Sequence, residues 1–268
     1  MVRQIFNRLY SDVLLPSRLD EYRALIEKAL EYDFYVLSVK EYWDRLQKGM
    51  LPEKTLVLRH DIDTRTPVTR LIHDIEVDLN VTSSFYFRVS TVDLDVMRVI
   101  SSHGSEVSYL YEELSTLVKK SAIHQADVDA GFMKLVRADF ERNLMWFRST
   151  TGLAAKTVAS HGDFMNRRIG IANTCILDQN QLRERLGIEL EAYDASFMNS
   201  IDARFSDTTY PNFWKPSTPD SALDRCKRIY VLTHPRHWKA CLRGNMNENF
   251  RRLQQDVVYR MRRVMRHE

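Results

Sequence analysis

Thr55-Leu56-Val57-Leu58-Arg59-His60-Asp61-Ile62-Asp63 is the stretch that decides the fold. Its first five residues, with Leu56-Val57-Leu58 at their centre, form a buried-strand pattern, and the segment that follows is polar. Asp61 and Asp63 are one residue apart, so continued strand geometry points both carboxylates the same way. A metal ligand and a general base are roles such a pair can divide; a turn or a helix N-cap is the alternative.

The strand-then-helix unit recurs on both sides. Upstream, Ser17-Arg18-Leu19-Asp20 reads as a capping box for a helix with Leu19, Tyr22, Leu25, Ile26 and Ala29 on one face. Tyr35-Val36-Leu37 is a short strand, and Ser38-Val39-Lys40-Glu41 a second capping box, opening a helix that stops near Gly49 and Pro52. Downstream come a helix over Leu71 to Leu79, a strand at Ser84-Phe85-Tyr86-Phe87, a helix from about Asp93 to Ser102, and a strand at Glu106-Val107-Ser108-Tyr109. A long helix is expected over Ala126 to Thr150, then strands at Lys156 to Ser160 and Arg228 to Thr233. This alternation specifies a mainly parallel sheet covered by helices.

Two segments stand outside the pattern. Tyr193 to Pro219 holds three of the seven prolines and little periodicity, and reads as an irregular excursion over one face. Asn247 to His267 is a basic amphipathic helix; it reads as a terminal helix with its charges in solvent, with a membrane-surface or nucleic-acid role as the alternative.

At 268 residues and 44% hydrophobic content the chain fits a single domain spanning residues 1 to 268. A net charge of +3 calls for no nucleic-acid partner. The opening residues Met1 to Arg8 carry no apolar signal core, no run of about 18 apolar residues suggests a transmembrane segment, and Cys175, Cys226 and Cys241 form no CxxC pair. A cytoplasmic protein with reduced thiols is the expectation.

The chemistry-capable residues share a position. Asp61 and Asp63, Arg88, His161 and His234 each follow a predicted strand, and in parallel α/β folds the loops leaving the carboxyl ends of strands form the ligand-bearing face. A histidine there can ligate a metal or move a proton near neutral pH.

Leu58-Arg59-His60-Asp61-Ile62-Asp63, Ser83-Ser84-Phe85-Tyr86-Phe87-Arg88, Gly104-Ser105-Glu106-Val107-Ser108-Tyr109-Leu110-Tyr111-Glu112 and Tyr230-Val231-Leu232-Thr233-His234-Pro235 together resemble, in order, the motifs of the polysaccharide deacetylase superfamily. This is carbohydrate esterase family four, in its branch with a His-Asp-x-Asp first motif. The resemblance spans about residues 55 to 240 and implies a distorted (β/α) barrel that hydrolyses an acyl group on a sugar with a divalent metal, zinc first. It implies Asp61 as the base that activates water, Asp63 as a metal ligand and His234 as the acid for the leaving amine.

The second motif departs from the family: Leu110 and Leu114 stand where ligating histidines are expected, with Ser105 and Ser108 also changed. A degenerate metal site is therefore expected, and two readings stay open. In one, His161 joins Asp63 and His103 or Glu106 completes the ligands; in the other, metal binding is lost and the domain binds a glycan or a partner protein. For substrate, Arg88 can orient a carboxylate or phosphate or else neutralise Asp61 or Asp63, while Asp194 and Trp214 suit a carbohydrate or simply anchor the excursion. The substrate expected is a small-molecule or lipid-linked carbohydrate of surface-polysaccharide assembly.

Overall fold

The computed structural model describes Asn7 and residues 9 to 265. In chain order the elements are α1 (Leu19–Glu31), β1 (Tyr35–Leu37), α2 (Val39–Gln47), β2 (Thr55–Ile62), α3 (Val68–Asp78), β3 (Ser84–Phe87), α4 (Leu94–Ser102) and β4 (Glu106–Tyr111). Then follow α5 (Glu113–Ser121), α6 (Ala130–Thr151), β5 (Thr157–Ser160), α7 (Phe164–Ile169), α8 (Asn180–Leu186) and β6 (Leu190–Glu191). The last are α9 (Ala195–Met198), β7 (Ala203–Asp207), β8 (Trp214–Lys215), β9 (Arg228–Thr233) and α10 (Leu242–Met265).

One sheet runs β6-β5-β4-β3-β2-β9-β7-β8, with β1 paired to the first half of β2. Every pairing is parallel except β7 with β8. The sheet curls through 186° into a half-barrel flanked by helices, which is the expected distorted (β/α) barrel.

The period of two sorts the strands' side chains onto two faces. On one face Val57, Tyr86, Leu110, Ala159, Leu190 and Tyr230 fill the lumen with Phe197 and Tyr42. On the other Leu58, Phe85, Tyr109, Val158 and Val231 pack under helix residues such as Ile72, Leu114, Val136 and Phe140. Each such buried side chain contributes roughly 1.5–3 kcal/mol of burial, and sheet strands covered on both sides stay apolar throughout.

A polar knot lies beneath the helices on that second face. Glu76 of α3 accepts from the Tyr22 hydroxyl (2.5 Å) and Ser83 Oγ (2.8 Å) and lies 2.7 Å from His60 Nε2, while His60 Nδ1 meets Thr233 Oγ1 at 2.6 Å. All are buried, so β2 is tied to α1, α3 and β9 by groups that would be costly to leave unpaired.

Helix signals held unevenly. Ser38 Oγ accepts from Glu41 N at 3.1 Å, as the second capping box requires, and Asp129 caps the long helix through Phe132 N. The first box is corrected: α1 starts at Leu19 behind Arg18, which makes no side-chain cap bond, and Ser17 is only 3.5 Å from Leu19 N. Tyr193 to Pro219 is not irregular throughout, because β7 joins the sheet beside β9 there and β8 folds back on it. The basic helix begins earlier than expected, at Leu242. The segment Met1 to Phe6 with Arg8, and Arg266 and His267 at the far end, lie outside the described residues. Among the described residues no helix is long and apolar enough to cross a membrane, and the three cysteines are unpaired.

Candidate active site

Parity extends the lumen face into the mouth of the half-barrel. Two residues beyond Tyr86, Ala159 and Leu232 come Arg88, His161 and His234, while Asp61 and Asp63 continue the Val57 and Arg59 row. The charges of Asp61 and Asp63 act on His234, and those of His161, His234 and Arg88 act on Asp63. Four residues singled out from sequence, Asp61, Asp63, His161 and His234, are therefore brought together.

β2 runs on to Ile62, so Arg59 and Asp61 are neighbours on one face of a strand. Arg59 Nε and Nη2 donate to the two oxygens of Asp61 at 2.7 and 2.8 Å, and Nη1 donates to the Tyr230 hydroxyl at 2.9 Å. The guanidinium lies between the rings of Tyr86 and Tyr193, at 5.1 and 4.9 Å. A paired, fully buried arginine of this kind fixes the carboxylate's orientation and leaves one lone pair on each oxygen.

His234 is held by a residue that sequence reading missed. Asp207, the last residue of β7, sits 2.6 Å from His234 Nδ1 and 3.1 Å from His237 Nδ1 through Oδ1. Its Oδ2 accepts from His234 N at 2.7 Å and from Trp238 Nε1 at 3.1 Å. Burial opposes the charge on His234, but Asp207 outweighs it, with help from Asp63 and Asp61, and the imidazole is pushed up to about 9. Burial likewise opposes ionisation of Asp207, yet His237 and His234 hold its carboxyl well below the usual range.

The third assembly centres on His161. Its Nδ1 lies 3.1 Å from Glu112 Oε2 and its Nε2 3.1 Å from Asp63 Oδ1. Against burial, the two carboxylates raise His161 to about 9, while His161 holds Asp63, and Arg88 with His161 holds Glu112, far below the carboxylate range. Arg88 donates to Glu112 Oε1 from Nε and Nη2 (2.9 and 2.6 Å) and to the Asp63 carbonyl (2.9 Å).

Among the described residues, two groups place three potential ligand atoms within 4.8 Å of one another: Glu112 with His161 and Asp163, and Asp207 with His234 and His237. The expected degenerate metal site, and the expected divalent cation or zinc with leucines in place of its histidine ligands, are therefore corrected. Leu110 is a lumen-filling residue and Leu114 lies under the helices, so neither occupies a ligand position. The suggested completing ligands are corrected too. Glu106 sits at the other end of β4, about 20 Å away along the strand, bound to Ser84 and Lys40 N, and His103 meets His73 edge to face.

At His161 one further observation fits a divalent cation, and it involves Asp63, a member of neither group. Asp63 Oδ1 is buried and faces His161 Nε2 at 3.1 Å with no other polar partner, so an imidazole nitrogen and a carboxylate oxygen are brought to one point. In Asp207 both oxygens already accept from donors, which suits a carboxylate that orients a histidine. Asp163 caps α7 through Met165 N (2.7 Å) and pairs with Lys119 (2.9 Å).

The expected substrate contacts lie elsewhere. Arg88 is buried and spends its donors on Glu112, Asp63 and Glu248. Asp194 is bidentate with Arg183, both bonds 2.7 Å, and Trp214 is buried against Trp238. In this arrangement all three side chains are committed to the protein itself.

No family model matches the chain, and no curated protein matches it. Among solved structures it is similar to the Streptococcus pyogenes deacetylase PplD in complex with acetate, at 12% identity over 80% of each chain and a TM-score of 0.46. It is similar to IcaB from Ammonifex degensii at 13% identity, covering 64% of this chain and 74% of that one with a TM-score of 0.47. Peptidoglycan deacetylase PdaC from Bacillus subtilis is a third, at 12% identity, 80% and 95% coverage and a TM-score of 0.41. All three likenesses are distant, span most of the chain and have TM-scores below 0.5.

Proposed function

We propose that the protein hydrolyses an N-acyl group from a small-molecule or lipid-linked carbohydrate of surface-polysaccharide assembly. The observation that carries this reading is the pair of opposed proton-handling groups at one mouth: Asp61 locked by Arg59, and His234 locked by Asp207. Asp61 offers its remaining lone pairs to the proton of an attacking water. His234, protonated at neutral pH and held at Nδ1, presents Nε2 to donate a proton to the departing amine. Asp207 keeps that ring oriented, and Trp238 and the His234 backbone amide keep Asp207 in place.

Asp63 and, through Nε2, His161 are the residues that would hold a divalent cation, with Glu112 on Nδ1 orienting the imidazole; when bound, the cation would supply Lewis-acid polarisation of the acyl carbonyl and acidify water. Arg88 holds Glu112 and the Asp63 backbone in position for it. Three unpaired cysteines support a reducing compartment, and with it a cytoplasmic location.

The test combines metal analysis of purified protein with acyl release from small N-acetyl and N-formyl sugars. Asp61→Asn and His234→Asn should abolish release with folding retained, and Asp63→Ala or His161→Ala should strip the cation. A wild-type protein that binds glycans but releases no acyl group, with cations supplied, refutes hydrolysis and leaves a binding module.

A further inference from the structure

We propose that α10 docks the protein on an anionic lipid surface through its outward apolar face. The helix has two apolar-bearing sides with different fates. Its inner side is tied to the body: Asn245 donates to the Asp12 carbonyl (3.0 Å), Glu248 approaches Arg88 (3.5 Å), Gln255 accepts from Lys119 (3.1 Å) and the Tyr259 hydroxyl donates to the Ile123 carbonyl (3.1 Å). The outer side carries Met246, Phe250, Leu253, Val257 and Met261, spaced by four, three, four and four residues and therefore on one stripe. No described residue covers it: Phe250 is 62% exposed, and Leu253 and Met261 are each 61% exposed. A contiguous apolar stripe of this kind on a monomer marks a contact surface.

Charge selects the occupant. Between Leu242 and Met265 the sequence has six arginines against Glu248 and Asp256, and Lys119, Lys120, Arg167 and Arg168 border the helix on its two sides. A second copy of the same cationic helix is repelled, whereas an anionic bilayer attracts the arginines and accepts the stripe. Nucleic acid would use the arginines and leave the stripe in water. The helix lies along the surface and does not span it.

Leu253 also lines a hollow of about 630 Å³ that runs past Arg167, Arg168 and Arg260 to Gly162 and Asp163, the two residues after His161. A bilayer on the stripe thus adjoins the mouth of the half-barrel, which favours a lipid-linked substrate over a soluble one. That consequence rests on the proposed hydrolysis; vesicle binding is measured without turnover, so the two fail separately.

The full-length protein is floated with phosphatidylcholine vesicles, with and without phosphatidylglycerol, across a salt series. Binding is expected only to the anionic vesicles and should weaken as salt screens the arginines. Phe250→Ser with Leu253→Ser should weaken it by at least about tenfold, the melting temperature being unchanged because both side chains are exposed. Arg260→Gln and Arg262→Gln should each weaken it by about fivefold while leaving the stripe intact. The proposal is overturned if neither vesicle binds, if Phe250→Ser with Leu253→Ser instead dissociates a dimer seen in sedimentation, or if the protein prefers nucleic acid to the anionic vesicles.

Discussion

Asp207→Asn tests the proton donor directly, because it removes a charge while conserving size. The asparagine carbonyl can still accept from His234 N and Trp238 Nε1, but its amide group now faces His234 Nδ1 as a donor. His234 then loses the partner that lifts it to about 9 and falls toward its ordinary 6.5, helped by burial, which already favours the neutral ring. That gap corresponds to roughly 3 kcal/mol in favour of the imidazolium. At pH 7.5 the protonated fraction would drop from nearly all to about one tenth, so turnover falls about tenfold there and much less near pH 6. The sign follows from the role: an acid works while protonated, so activity is lost as pH rises through its pKa, and the alkaline limb of the profile moves down. Ring resonances of His234 followed by NMR measure the same titration with no substrate present. An asparagine variant whose His234 still titrates near 9 would refute the coupling, and an unmoved alkaline limb would remove His234 from the acid role.

Arg59→Met strands Asp61 as a buried carboxylate without a partner and should cost about 3–5 kcal/mol in chemical denaturation, most of it regained in the Arg59→Met/Asp61→Asn double variant. In chelator, stability should be highest between about pH 5 and 6.5 and decline as pH rises to about 9, because His161 and His234 are raised in the folded protein and the native state holds protons that the unfolded chain releases earlier; below that window the lowered carboxyls Asp63, Glu112 and Asp207 lose their contribution. Thermal melts check this, and His161→Asn should flatten part of the slope. A divalent cation should raise the melting temperature more at pH 9 than at pH 6, since it replaces the His161 proton. Leu110→Ala should destabilise by about 2–5 kcal/mol as a lumen cavity forms, and metal content, measured in parallel, should stay the same.

The strand-end residues were legible because two local rules coincide there: an apolar run long enough to be a buried strand, and a switch to polar residues at its carboxyl end. Asp61, Asp63, His161 and His234 satisfy both. Asp207 satisfies neither, since Ala203-Arg204-Phe205-Ser206-Asp207 carries one large apolar residue and belongs to the sheet only through its parallel pairing with β9. That pairing is a tertiary fact, and no local period announces it. Arg59 was readable in principle: strand residues two apart share a face, so an arginine two before Asp61 was already placed to grip it.

Glu112 shows why motif matching misled where parity would have succeeded. Expecting a histidine at Leu110 or Leu114 made the site look degenerate, but the register pairs Leu110 with Ala159, two residues short of His161. A ligand at Leu110 would lie one lumen layer, about 7 Å, below the imidazole. The lumen position opposite His161 is two residues further along β4, and it is occupied by Glu112, whose carboxylate meets Nδ1 at 3.1 Å. Leucine at 110 therefore packs the lumen, and the residue that orients His161 lies at the mouth where Asp63, Arg88 and His161 already converge.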